Sequence, residues 1–93
     1  SSTEKKTDTK VTEKTEITFW HAMSGSNEEA IQKITDDFME QNENVSVKLV
    51  NQGGYMDLFD KLMASAKADQ LPTMTQIYPT DYPGMFPKGL WQI

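Results

Sequence analysis

The chain contains no cysteine and no arginine. Without cysteine there is no disulfide framework, no thiolate nucleophile and no sulfur-ligated metal. Without arginine there is no bidentate clamp for phosphate or carboxylate, and all 9 basic residues are lysine. Those lysines are outnumbered by 14 acids, giving a net charge of −5. That is the wrong sign for a surface that reads nucleic acid. No apolar run reaches the roughly 18–20 residues that a membrane helix needs. There is 1 histidine, and with scattered carboxylates it matches none of the usual metal-ligand spacings, so neither a metal nor a cofactor is expected.

The charge is unevenly placed. The first sixteen residues, SSTEKKTDTKVTEKTE, hold four lysines and four acids, which cancel, so the whole −5 lies in residues 17–93. The same stretch has a single apolar residue, Val11. It cannot bury enough surface to offset its chain entropy and reads as a disordered Thr/Lys/Glu-rich spacer over 1–16.

Periodic structure begins after it. Glu16–Trp20 (EITFW) is β-branched and aromatic, hence a strand. Ser26 and Glu29 form an S-x-x-E capping box ahead of an apolar-periodic run. Ala30, Ile31, Ile34, Phe38 and Met39 recur at helical spacing, so a helix is expected over Asn27–Gln41. Val45–Val50 alternates as a second strand, and NQGG at 51–54 turns the chain. Tyr55–Ala68 carries Leu58, Phe59, Leu62, Met63 and Ala66 on one helical stripe. Thr73–Tyr78 reads as a third strand, and Pro79 stops it. Beyond it Pro83, Gly84, Pro87 and Gly89 leave room only for a short helical turn before Leu90–Ile93. Strand, helix, strand, helix, strand implies an α/β fold, βαβαβ with parallel strands joined by right-handed crossovers. Two helices scarcely cover both faces of such a sheet, so the sequence reads as part of a larger α/β domain.

In open parallel sheets, ligands bind beyond the C-terminal ends of the strands. Three loops leave such ends here: WHAMSGS at 20–26, NQGGY at 51–55 and YPTDY at 78–82. Each carries aromatic, small and hydrogen-bonding residues. His21 with Ser24, and Asp81 as a third member, offers an alternative of another class: a small serine hydrolase. The sequence has no G-x-S-x-G elbow and no second histidine, and a lone His at a strand end is more often a packing or hydrogen-bonding group. Ser24-Gly25-Ser26 opens a helix and could present free N–H groups to an anion, but it is not a nucleotide-binding loop. Gly53 and Gly54 supply conformational freedom just before Tyr55, whose ring suits the C–H face of a sugar.

Taken together, ITFWHAMSG, the F-x-x-x-N of Phe38–Asn42, NQGGY and LPTMTQIYPTD resemble the start of the extracellular solute-binding proteins of ABC importers, family 1, over about Ile17–Ile93. That family includes maltose-binding and glycerol-3-phosphate-binding proteins. The resemblance implies a periplasmic-binding-protein-like (type II) fold of two lobes, with residues 17–93 forming the N-terminal part of lobe 1. It implies no enzymatic activity, but capture of a carbohydrate in the interlobe cleft and delivery to permease subunits. The location implied is the periplasm, or the outer face of the membrane of a Gram-positive cell through an N-terminal lipid anchor. By the same resemblance Tyr55 matches a G-x-Y tyrosine that contacts ligand, His21, Ser24 and Gly25 match the first loop of the cleft, and Gln76 and Tyr78 match the third strand end. Glycerophosphate-binding relatives carry a carboxylate just after that point, where this chain has Pro79. Asp81 is the candidate to take its place, and an uncharged oligosaccharide is the ligand favoured here, with glycerol 3-phosphate or a glycerophosphodiester as the alternative. If the resemblance holds, the gene should continue past Ile93 and encode a cysteine ahead of Ser1. Reading the genomic sequence on both sides checks this, and a native stop codon after Ile93 refutes it.

Overall fold

The computed structural model describes residues 14–78. Three strands, β1 (Thr15–His21), β2 (Val45–Asn51) and β3 (Met74–Thr75), alternate with two helices, α1 (Gly25–Gln41) and α2 (Tyr55–Lys67). All pairings are parallel and the strand order is β2-β1-β3. The register runs from Thr15 opposite Val45 to His21 opposite Asn51, with Phe19 opposite Met74 and Trp20 opposite Thr75 on the other side. The βαβαβ reading of the sequence is thus the observed architecture.

Several boundaries differ from expectation, each for a local reason. β1 starts at Thr15, so Thr15 and Glu16 belong to the sheet, where Thr15 donates its N–H to the Asn44 carbonyl at 2.9 Å. The rest of the expected spacer, residues 1–13, lies outside the described residues, as do the expected turn at 80–89 and Leu90–Ile93. α1 starts at Gly25 rather than Asn27, and the Ser26–Glu29 capping box is not used. Ser24 occupies the N-cap in extended conformation, and its hydroxyl makes no capping bond. Gly25, at φ +58°, makes the abrupt entry into the helix. β3 is shorter than Thr73–Tyr78 because side chains replace its ladder at both ends. Thr73 Oγ1 accepts the Thr18 N–H at 3.1 Å, and Gln76 Oε1 accepts the Ala22 N–H at 2.9 Å.

Both helices end on specific contacts. At α1 the Asn42 side chain donates to the Phe38 carbonyl at 2.9 Å. At α2 the Gln70 N–H reaches the Ser65 carbonyl (2.8 Å) and the Asp69 N–H reaches Ala66 (3.2 Å), with Asp69 at φ 59°. This is a Schellman ending with aspartate in the left-handed position that glycine usually takes.

The two helices cover opposite faces. Leu58 and Leu62 of α2 are 1% exposed and pack with Trp20, Ala22, Phe59, Met63, Leu71 and Ile77. α1 lies over the alternate β1 residues, Ile17 and Phe19, together with Val47. That face is only partly filled. A groove of about 290 Å³ remains there, and Ile34 (63% exposed), Phe38 (45%) and Met74 (46%) are open to solvent. Of the expected α1 stripe, the buried position is instead Thr35. Opposite faces follow from topology. One crossover runs from β1 out to β2, the other runs back past β1 to β3, and a common right-handed sense places their helices on opposite sides.

The core therefore depends on α2. Leu58→Ala or Leu62→Ala should cost about 2–5 kcal/mol, the range for an aliphatic side chain emptied from a packed site. Ile34→Ala should change stability by about 0.5 kcal/mol or less. Urea unfolding followed by circular dichroism checks the contrast.

Candidate ligand-binding rim

With strand order β2-β1-β3, the chain leaves β1 toward one side and returns to β3 on the other. The crevice of such a sheet lies at the C-terminal ends of β1 and β3. The loops at these ends form the rim, and the structure shows which of their side chains are free to meet a ligand.

His21 is not. It is 2% exposed, edge-on to Phe19 with ring centroids 6.3 Å apart, and its Nδ1 accepts the Met23 N–H at 3.1 Å. The nitrogen is committed to shaping the loop, and no hydrogen bond joins His21 to Ser24 among the described residues. Ser24 is exposed at the mouth of α1, and Gly25 has open space around its Cα. Asp81 lies outside the described residues. The serine hydrolase arrangement is therefore not assembled by the part of the chain described.

Gln76 is also committed. Its N–H reaches the Trp20 carbonyl at 2.9 Å and its Oε1 holds the Ala22 N–H, so it closes the seam between the first and third loops. Tyr55 and Tyr78 are brought together. Their rings stack with centroids 3.9 Å apart and planes 21° from parallel. With Met56, Phe59 and Asp60 they line a recess of about 260 Å³. Tyr78 is 49% exposed, so one ring of the pair stands open at the rim.

Tyr55 owes its place to the second loop. Gly53 adopts φ +100°, and a Cβ there would lie 2.9 Å from Asp57 Oδ2. Asp57 needs that closeness, because the same oxygen accepts the Gly54 N–H at 3.1 Å and caps α2. Tyr55 is then the first residue of the helix.

Sequence reasoning missed Asn51. Its Oδ1 accepts the Gly53 N–H (2.8 Å), while its Nδ2 donates to the Met23 carbonyl (3.1 Å) and to Glu28 Oε2 (2.9 Å). The signal was present as N-x-G at the end of a strand, the pattern of an asparagine that turns its own backbone. Both helix entrances at the rim thus hold a carboxylate in their first turn, Glu28 in α1 and Asp57 in α2. Residues 22–24, 52–54 and 76–78 include no lysine. Among the described residues no group of three or more metal-ligating side chains assembles, and no helix is long and apolar enough to cross a membrane.

The unit is an open parallel βαβαβ of the α/β class with an aromatic recess beside its strand ends, and its likeness to known proteins is more specific. The chain is 33% identical over 64 residues to the sn-glycerol-3-phosphate-binding periplasmic protein UgpB of Rhizobium meliloti (strain 1021). It is 30% identical over the same length to UgpB of Agrobacterium fabrum (strain C58 / ATCC 33970), and 27% identical to that of Brucella abortus (strain 2308). Each match covers 69% of this chain and 15% of the relative, so the chain corresponds to a small part of the proteins it matches. No family model matches it. The similarity is distant and partial, and it points to solute-binding protein family 1, as the motifs suggested.

The commitment of His21 to a backbone N–H makes a prediction. His21→Ala should lower stability by on the order of 2–3 kcal/mol, because it opens a cavity and leaves the Met23 N–H without its acceptor. A serine-reactive phosphonate should leave Ser24 unlabelled in both proteins. Labelling that disappears in His21→Ala would restore the hydrolase reading.

Proposed function

We propose that this chain is part of the first lobe of the substrate-binding component of an ABC importer, and that the rim captures a polyol phosphate of the glycerol 3-phosphate type for delivery to permease subunits. In this reading the protein is a binding protein and not an enzyme, the chain from β1 onward belongs to lobe 1, and the residues before β1 tether the protein. It works outside the cytoplasm, in the periplasm or on a lipid anchor at the outer membrane face. The observation that carries the reading is the Tyr55–Tyr78 recess, at the strand ends of a chain whose relatives are named as glycerol-3-phosphate-binding proteins. Flat rings with hydroxyl tips suit a short polyol, whose C–H edges pack on the ring while its hydroxyls hydrogen-bond. His21 supports a binding role over catalysis, since its Nδ1 is already used.

The electrostatics divide the labour. Glu28 and Asp57 occupy the two helix entrances, and the loops bring no cation. This unit then meets the hydroxyl end of the ligand, and the positive charge that a phosphate needs comes from elsewhere in the longer protein. The same absence of cations favours a second reading, an uncharged oligosaccharide stacked on the exposed tyrosine face.

Calorimetric titration of the protein encoded by the full gene separates the two. sn-Glycerol 3-phosphate should bind, and at 100 times its Kd it should add about 2.7 kcal/mol to stability. Tyr55→Ala should weaken binding by about tenfold or more, as loss of an aromatic contact does. Saturation by maltotriose with no response to the phosphate would favour the oligosaccharide.

A further inference from the structure

We propose that Asn51 is the positioning residue of the rim: it holds the first and second loops as one piece and thereby sets where Tyr55 meets the ligand. The proposal rests on the ligand-binding reading of the rim. Asn51 is the last residue of β2, and the next N–H, that of Gln52, is bonded to the His21 carbonyl at 2.8 Å. Its backbone is therefore fixed against the central strand, and its side chain leaves from an anchored point. The three partners of that side chain come from three different places. Met23 lies in the β1–α1 loop, Glu28 in the first turn of α1, and Gly53 in the β2–α2 loop, two residues before Tyr55.

The residue type is narrowly determined. One short side chain must donate two hydrogen bonds from one atom and accept one at the other. Asparagine meets that demand, whereas aspartate offers no donor and serine one. The Glu28 carboxylate is favoured in the first turn of α1 by the helix dipole, and Asn51 ties it down there. All three bonds lie at exposed positions. Each contributes little to stability in water, so their effect falls on geometry. The Asn51–Gly53 bond sets the turn in which Gly53 takes φ +100°. Gly54 follows and docks on Asp57, and Tyr55 then emerges beneath Tyr78.

The test uses the protein encoded by the full gene in four forms: unaltered, Asn51→Asp, Glu28→Gln and both together. Asn51→Asp keeps the acceptor for Gly53 but turns both donated bonds into oxygen–oxygen contacts. Affinity for sn-glycerol 3-phosphate should fall roughly tenfold, within the range for one member of a coupled network, while the melting temperature moves by no more than about 2–4 °C. Glu28→Gln still accepts from Asn51, and its affinity is the reference against which the double variant is read. In the double variant the amide introduced at position 28 donates to the carboxylate introduced at position 51. At least about half of the loss should return on a logarithmic scale. Unchanged affinity in Asn51→Asp, or no recovery in the double variant, overturns the proposal. If the unaltered protein does not bind sn-glycerol 3-phosphate, the ligand reading fails by itself, and the same proteins then decide the positioning claim by NMR. Loss of Tyr55–Tyr78 ring-proton proximity in Asn51→Asp and its return in the double variant support it. Rings that stay stacked in Asn51→Asp overturn it.

Discussion

The rim hangs from the last two carbonyls of the central strand. The Trp20 carbonyl accepts the Gln76 N–H at 2.9 Å on one side, and the His21 carbonyl accepts the Gln52 N–H at 2.8 Å on the other. Because β1 is paired on both edges, these bonds bring together segments about thirty residues apart on one side and more than fifty apart on the other. Side chains then complete what the parallel ladder begins. Gln76 supplies an amide oxygen in place of a strand carbonyl, and Asn51 reaches back across the other seam. Without the parallel register none of these groups would be in reach.

The two faces of the sheet differ in what their helices bury. α2 brings Leu58 and Leu62 down onto Trp20 and closes a small core. α1 brings Ile34 and Phe38 toward the other face but leaves them open beside a groove of about 290 Å³. A parallel sheet is stable when both faces are covered, and one helix is too narrow for three strands. At the rim the first two loops are short and bonded to each other, and the second turns on a glycine at φ +100°.

Much of the fold was legible in the residues. The β-branched runs at 17–20 and 45–50, the stripe of Leu58 and Leu62, and the change of period between them led directly to βαβαβ. Tyr55 and Tyr78 were legible as candidates, and the structure stacks them. His21 and Gln76 were legible as important, but their roles were not. Both proved to be internal hydrogen-bonding groups, because the partners of each atom are backbone N–H groups that no pattern displays. The start of α1 was misread for a similar reason. Ser26 and Glu29 have the spacing of a capping box, but a glycine at φ +58° let the helix begin earlier. Asn51 was overlooked because its partners at 23 and 28 become neighbours only when β2 lies beside β1.

The sequence by itself determined the class of fold, the sense of the strands and which loops leave the C-terminal ends of the strands. Those follow from hydrophobic period and turn chemistry, which are local properties. Only the tertiary structure decided which rim residues are spent on the scaffold and which remain open. His21 braces its own loop, Gln76 and Asn51 join loops, and Tyr55 and Tyr78 face the recess. The reason is that a polar side chain's role depends on which donors and acceptors surround it, and here those arrive from strands paired across long stretches of chain.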